Sequence, residues 1–185
     1  MEFFRTLLSS DSSNGKNGSE WKSKVYFDPE SDISSGSDYF LSDAELRTRL
    51  EELIDCNEEI RKIWVYSHPL YDWQIMEGLM YHAFIVLETD QWWWSIEKND
   101  EGITIQHSKY LEFVKERYRR EKRTTPINER KHDSGRMKML DLVNWLYEKD
   151  ELNQGYRFDI RHFNCQGFAK RVFDHFAKEK FWYGI

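Results

Sequence analysis

The sequence predicts an α+β protein, because a helical pattern is followed by a block of strand patterns and then by further helical patterns. The chain has 185 residues, of which 32% are charged and 16% aromatic, as is typical of a globular domain with a well-solvated surface. We expect a small antiparallel sheet of about four or five strands flanked by helices.

The N-terminal part of the chain is rich in serine, glycine and charged residues and holds few bulky apolar side chains. Such a composition buries too little apolar surface to offset the entropy lost on ordering. We therefore predict a largely disordered tail over residues 1–40 and a single α+β domain over residues 41–185. The stretch "WKSKVYFDP" in the tail could still dock as an edge strand.

Strand and helix patterns fill the first half of the predicted domain. "SDAE" at 42–45 forms a capping box with Ser42 as the N-cap, and it predicts a helix over 43–57. Four runs of β-branched and aromatic residues then follow, separated by turn residues. They predict a four-stranded meander between residues 61 and 108, composed of "RKIWVYS", "LMYHAFIVLE", "QWWWSIEKN" and "GITIQHS".

The second half of the domain has helical spacing. "KYLEFVKERYRREKR" at 109–123 predicts a basic helix, and "RMKMLDLVNWLYEK" at 136–149 predicts an amphipathic one. The expected apolar stripe of the latter contains Leu140, Val143, Leu146 and Tyr147. A last helix begins at Cys165 and places Phe168, Val172 and Phe176 on its buried face, with Ala169 and Phe173 beside them.

Charge and cysteine usage exclude several classes of function. The net charge of −6 argues against a general nucleic-acid binder, and the two cysteines form no metal-ligand spacing. Nucleotide-binding and zinc-protease motifs are absent from the sequence, so we expect no cofactor and no metal. The first eight residues are too short and too charged for a signal peptide, and no apolar run approaches a membrane span. We expect a cytoplasmic protein.

Cys165 occupies a position where reactive cysteines are often found. Asn164 is a good N-cap, so Cys165 would be the first helical residue. The positive end of the helix dipole and the unpaired amides of the first turn favour a thiolate, and the amides of residues 165 and 166 can stabilise an oxyanion. The alternative is a buried, inert thiol that packs in the core.

His82 is the candidate base for this thiol. It lies in the middle of an apolar strand, where it shares a face with Phe84 and Val86. A histidine among apolar neighbours needs either a hydrogen-bond partner in the core or a catalytic function. His162, three residues before Cys165, is a rival for the same function.

Taken together, "YHAFIVL" around His82 and "NCQGFAKRVF" around Cys165 resemble a known enzyme group. They are similar to the permuted papain-like thiol enzymes of the lecithin:retinol acyltransferase type and the H-box/NC proteins, in which the histidine strand precedes the cysteine helix. The resemblance covers roughly residues 61–178. It implies a permuted papain-like fold and a hydrolase or acyltransferase that forms an acyl-enzyme thioester on Cys165.

Glu97 is the candidate third member of the site. A turn at Asp90 and Gln91 pairs Thr89 with Trp92, which puts Glu97 on the face of His82, diagonal to it. The resembling families usually carry a polar residue, often histidine, on this strand, whereas here the strand reads "WWWSIEK".

Other assignments of the third member stay open. Glu97 could instead be a surface carboxylate paired with Lys98 or another cation, and a register shift of one residue would replace it on this face. Gln106 and His107 on the following strand are runners-up.

The sequence also suggests contacts with substrate and partners. Trp93 could line a groove, and Asn164 and Gln166 flank the nucleophile, so these three are candidate substrate-binding residues. The expected substrate is an acyl ester, an amide or a peptide. The basic stretch 115–123 is either a solvated helix face or a patch for anionic lipid head groups or nucleic acid. Two alternatives remain: a non-catalytic protein- or lipid-binding module on the same scaffold, and a cysteine protease.

Overall fold

The computed structural model describes residues 25–29, 31–32, 39–41, 45, 48–49, 51–52, 54–69, 81–149, 151 and 164–179. Its strands are β1 (Val25–Asp28), β2 (Tyr39–Leu41), β3 (Ile60–Pro69), β4 (Tyr81–Thr89), β5 (Trp93–Lys98), β6 (Ile103–Ser108), β7 (Arg117–Tyr118), β8 (Glu121–Lys122) and β9 (Asn128–Ser134). Its helices are α1 (Leu111–Lys115), α2 (Met139–Glu148) and α3 (Cys165–Phe176). The predicted α+β class is confirmed.

One mixed sheet of seven strands dominates the fold, in the order β2-β1-β6-β5-β4-β3-β9. Strands β3 to β6 are consecutive neighbours and antiparallel, so the predicted meander is confirmed. The predicted number of four or five strands is too low, because β1, β2 and β9 extend the sheet at both sides. β1 pairs parallel with β6, which makes the sheet mixed.

β1 and β2 come from the N-terminal region, where most of the predicted tail lies outside the described residues. β1 is fully buried and lies between β2 and β6, in an internal position instead of the expected edge position. β9 is another strand that the sequence pattern did not predict. Its sequence "NERKHDS" is wholly polar because it forms the other edge of the sheet, where charged side chains discourage pairing with other chains.

The basic segment 109–123 is not one helix, so that prediction is wrong beyond Lys115. α1 ends there, and the chain turns back through the hairpin β7–β8. Arg119 and Arg120 at the tip have φ values of 48° and 70°, in the left-handed region that continuous helix does not contain. Ion pairs to Glu101 and Asp28 hold the two arginines in place.

The sheet is covered on both faces. α2 and α3 pack on one face, where Phe168, Val172 and Phe176 of α3 are buried as predicted. On α2, Val143 and Leu146 are buried, but Tyr147 is 48% exposed, which corrects its predicted place on the apolar stripe. The other face carries a smaller cluster, which consists of Tyr66, Phe84, Val86 and Val114 with Trp64, Trp93, Leu111 and Ile127 around it.

The predicted first helix is described only in part. Helical residues occur between positions 45 and 52, whereas positions 55–57 form a turn, so the helix ends before the predicted residue 57. The predicted N-cap Ser42 lies outside the described residues. Within the part of the chain that the structure describes, we find no helix with the length and apolarity needed to cross a bilayer.

Candidate active site

The N-terminus of α3 presents Cys165 at the position that the sequence predicts. Asn164 has the extended backbone of an N-cap, with φ −102° and ψ −178°, and its Oδ1 accepts a hydrogen bond of 2.8 Å from the amide of Gly167. Cys165 is the first helical residue, and 4% of its surface is exposed. The N-cap therefore fixes where the thiol stands.

Two side chains tie the first turn of α3 to the first residue of β4. Sγ of Cys165 lies 3.9 Å from the carbonyl oxygen of Tyr81, and Gln166 Nε2 donates to the same oxygen at 3.1 Å. The next residue of β4 is His82, and Cys165 is close enough for its charge and hydrogen bonding to raise the pKa of the His82 ring. The structure thus brings the two residues of the predicted pair close together.

Glu97 completes the arrangement from the neighbouring strand. The Thr89 amide donates to the Trp92 carbonyl at 2.9 Å, which is the register that the predicted turn requires. Glu97 Oε2 lies 2.8 Å from Nε2 of His82, and the two residues are 1% and 8% exposed. With Nε2 bonded to the carboxylate, Nδ1 is the ring nitrogen that remains for the sulfur.

Arg123 holds the second oxygen of the same carboxylate. Its Nη2 donates to Oε1 of Glu97 at 2.5 Å, and its Nε donates to the Lys115 carbonyl at 3.2 Å. The guanidinium lies 4.2 Å from the ring centroid of Phe84, and 5% of the side chain is exposed. Glu97 is therefore shared between the imidazole of His82 and a buried cation.

His68 on β3 is the last member of this cluster and pairs directly with His82 across the sheet. Its Nε2 accepts a hydrogen bond from Arg123 Nη1 at 3.1 Å. Its Nδ1 lies 3.0 Å from the Pro69 carbonyl oxygen, and because that oxygen can only accept, Nδ1 carries the proton. Burial, aided by the charges of His82 and Arg123, lowers the pKa of His68 to about 4. His68 is thus neutral, with a fixed tautomer.

The charges of the site favour a protonated imidazole at His82 and an ionised carboxylate at Glu97. Burial by itself lowers the pKa of His82, but the charge and hydrogen bond of Cys165 and those of Glu97 outweigh it and raise the pKa well above 6.5. Burial by itself raises the pKa of Glu97, but Arg123 and His82 lower it to about 2. The arrangement therefore stabilises an imidazolium at His82 beside the Glu97 carboxylate.

The predicted substrate-binding residues have different positions. Gln166 lies beside Cys165, whereas the side-chain oxygen of Asn164 is used in the helix cap. Trp93 packs against Trp64, with ring centroids 5.5 Å apart. It lies four residues from Glu97 along β5, or about 13 Å at the usual rise of a strand, so the structure does not bring it to Cys165.

The rival candidates lie apart from the cluster or outside the described residues. Gln106 bonds to Ser95 at 3.0 Å. His107 projects to the opposite face and stacks on Trp94 with centroids 4.5 Å apart, and neither of its ring nitrogens has a hydrogen-bond partner in the described residues. His162 lies outside the described residues. The second thiol, Cys56, is exposed in a turn.

Sequence reasoning missed both His68 and Arg123. His68 shares the face of His82, but the long connection between β3 and β4 conceals the register that pairs them. Arg123 gave no signal, because its segment has the composition of a solvated helix. Only the left-handed turn of the β7–β8 hairpin carries its side chain back to Glu97.

Comparison with known proteins identifies no relative of this chain. No protein-family model, curated protein or solved structure matches the chain. Among the described residues, no group of three or more His, Cys, Asp or Glu side chains is arranged to hold a metal ion. The chemistry of the cluster itself therefore carries the functional interpretation.

Proposed function

We propose that this protein is a cysteine-dependent hydrolase or acyltransferase that works through an acyl-enzyme thioester. The observation that carries the proposal is the placement of Cys165, at the start of a helix, close to His82, whose Nε2 is hydrogen-bonded to Glu97. A nucleophile in contact with a base, which is in turn oriented by a third group, is the arrangement that covalent catalysis requires.

In the first half of the reaction, the Cys165 thiolate attacks the carbonyl carbon of an ester, amide or thioester. The carbonyl π electrons move to oxygen, and when the tetrahedral intermediate collapses the leaving group departs. The imidazolium of His82 gives its Nδ1 proton to that leaving group. The products are the free alcohol, amine or thiol and an acyl group bound to sulfur.

In the second half, neutral His82 takes a proton from water or from an acceptor amine or alcohol as it attacks the thioester. The carbon–sulfur bond then breaks, and the thiolate and imidazolium are restored. Glu97 stays ionised throughout, because Arg123 lowers its pKa, and it holds the imidazole in one tautomer. No other reactant is needed for the atoms and charges to balance.

The start of α3 supplies stabilisation for the oxyanion in this scheme. A helix contains no acceptor of its own for its first amides, and its dipole is positive at this end. The amides of Cys165 and Gln166 belong to this first turn. We assign them to the oxyanion of the tetrahedral intermediates, where one donor is typically worth about 10²–10³ in rate.

We also propose that the fold is of the permuted papain-like kind. The support is the chain order and packing: the histidine strand β4 comes first, β5 beside it carries the polar partner, and the cysteine helix α3 packs on β4, β3 and β5. A reactive thiol of this kind must stay reduced, which favours the cytoplasm as its location. The lipid-binding use of residues 115–123 remains a prediction.

Trapping of the acyl-enzyme tests the function. We would incubate the protein with ester, thioester and peptide acyl donors, quench in acid and measure the mass of the peptide that contains Cys165. We expect the acyl mass on Cys165 in the native protein and in a Cys56→Ser control, and its loss with loss of turnover in Cys165→Ala. Undiminished turnover by Cys165→Ala, or no adduct with any donor, would overturn the proposal and favour a binding module.

A further inference from the structure

Arg130 lies at an irregular position in the sheet, close to the start of β4. In the ladder between β3 and β9, Val65 pairs with Lys131 and Tyr66 pairs with Glu129, so Arg130 is the additional residue of a β-bulge. Bulges recur beside active sites because they redirect a side chain that regular pairing would orient elsewhere.

Two contacts fix the orientation of the Arg130 side chain. Its Nε donates to Oγ of Ser67 at 2.5 Å, and Ser67 is 0% exposed. Its guanidinium carbon lies 4.7 Å from the ring centroid of Tyr81. Arg130 is partly buried, and among the described residues its two terminal nitrogens make no hydrogen bond or ion pair. The guanidinium is therefore held in place through Nε, and the N–H groups of its two terminal nitrogens remain available as donors.

Tyr81 links this fork to the nucleophile. Its carbonyl oxygen lies 3.9 Å from Sγ of Cys165, while its ring faces Arg130. Burial raises the pKa of the Tyr81 phenol, the charge of Arg130 lowers it and the charge of Cys165 raises it, so both charged groups act on one phenol. Arg130 and Cys165 therefore both contact Tyr81, Arg130 at its ring and Cys165 at its carbonyl oxygen.

We propose that Arg130, with the hydroxyl of Tyr81, binds a carboxylate on the acyl part of the substrate. This inference rests on the proposed function, and it narrows the substrate class to dicarboxylic half-esters, half-amides or half-thioesters and to peptides with an acidic group near the scissile bond. A planar guanidinium can donate two parallel N–H bonds to the two oxygens of a carboxylate. Because Nε of Arg130 is bonded to the buried Ser67, the edge formed by its two terminal nitrogens is free to do so.

A substrate-pair comparison measures this selectivity. We would determine kcat/KM for succinyl and glutaryl thioesters and for their uncharged butyryl and pentanoyl counterparts. We expect the native protein to prefer one charged donor by about tenfold or more, since a bidentate charge-assisted pair exceeds 1.4 kcal/mol. In Arg130→Met the ratio falls to about one, and in Arg130→Lys it is intermediate. Arg61→Met, which removes an exposed guanidinium elsewhere on β3, keeps the native ratio.

A binding measurement separates failure of this inference from failure of the proposed function. Glutarate is added during alkylation of Cys165 by iodoacetamide, with glutaramide as the uncharged control. Protection by glutarate that Arg130→Met loses, while its circular dichroism stays native, supports the carboxylate site even if no acyl donor is turned over. Turnover with equal use of charged and neutral donors, or protection that survives in Arg130→Met, would overturn the carboxylate site alone.

Discussion

At the scale of single residues, the partners of Glu97 decide the chemistry of the site. The alternative partner Lys98 projects to the opposite face, where it is buried against Glu151 with 3.5 Å between Nζ and Oε2. Glu97 instead lies between an imidazole and a guanidinium. A carboxylate held by two donors cannot easily take a proton, so it acts as a fixed charge that orients His82.

Removal of the Arg123 charge tests this view. In Arg123→Gln, the pKa of Glu97 rises toward its ordinary value, so the carboxylate protonates at higher pH and His82 loses its partner. We expect the acid limb of kcat/KM to move to higher pH. We also expect the plateau to fall about ten- to a hundredfold, as loss of a charge-assisted bond of roughly 1.5–3 kcal/mol implies.

The matched control for Arg123→Gln is Lys122→Gln, which removes an exposed cation from the same hairpin. Its pH profile should follow that of the native protein. An acid limb that does not move in Arg123→Gln would show that Arg123 has no influence on the ionisation of Glu97.

At the scale of elements, α3 is held at both ends, which is what keeps Cys165 beside His82. Its first turn bonds to the Tyr81 carbonyl, and its last turn leads into a bridge between Ala177 and Gly135. Gly135 follows β9, and its amide donates to the Arg61 carbonyl at 2.9 Å. The edge strand β9 thus anchors α3.

Gly135→Ala tests this anchor. A Cβ at this position would lie well inside van der Waals contact of the Ile60 carbonyl oxygen and side chain, and backbone atoms cannot rotate away. We expect a loss of about 1–3 kcal/mol in the free energy of unfolding, measured by urea denaturation. Ser134→Ala, at the exposed neighbouring residue, should stay within about 0.5 kcal/mol of the native protein. Equal stability of the two variants would contradict a tight junction.

Elements with regular spacing could be predicted from the sequence, and elements with irregular spacing could not. The period-two runs of β3 to β6 and the N-cap of α3 follow from local chemistry, and the turn after β4 fixed which face Glu97 occupies. β9 and the β7–β8 hairpin are polar, and their positions depend on long-range partners such as Asp28 and Glu97. The missed residue Arg123 and the bulged Arg130 both belong to this second group.

At the scale of the whole molecule, buried ion pairs connect the sheet to the helices. Lys98 on β5 and Arg171 on α3 both contact Glu151, with Arg171 Nε donating to Oε1 at 2.8 Å. Burial lowers the pKa of Lys98 to about 8, although the Glu151 charge opposes this. Together with the pair between Glu97 and Arg123, these contacts make the stability of the fold depend on pH.

The pair between Glu97 and Arg123 predicts part of that dependence. The pKa of Glu97 is about 2 in the folded protein against 4.5 as its ordinary value, so unfolding takes up a proton between these values. Its contribution is therefore fully present above about pH 4.5 and is lost as the pH falls toward 2. We expect the difference in unfolding free energy between the native protein and Glu97→Gln to shrink over that range.

Chemical denaturation at a series of pH values checks this expectation. Glu121→Gln, which changes an exposed carboxylate on β8, is the control and should differ from the native protein by a small, constant amount. A stability difference for Glu97→Gln that stays constant down to about pH 2 would mean that the carboxylate has no lowered pKa in the folded state.

The pH dependence of Cys165 reactivity tests directly whether Cys165 and His82 form a thiolate–imidazolium pair. In a Cys56→Ser background, which removes the exposed thiol, the rate of iodoacetamide alkylation is followed from about pH 5 to pH 9. We predict a midpoint well below the roughly 8.5 of a free cysteine, and a shift of that midpoint to higher pH in His82→Gln. A midpoint at or above about 8.5 that His82→Gln does not move would contradict the thiolate–imidazolium pair.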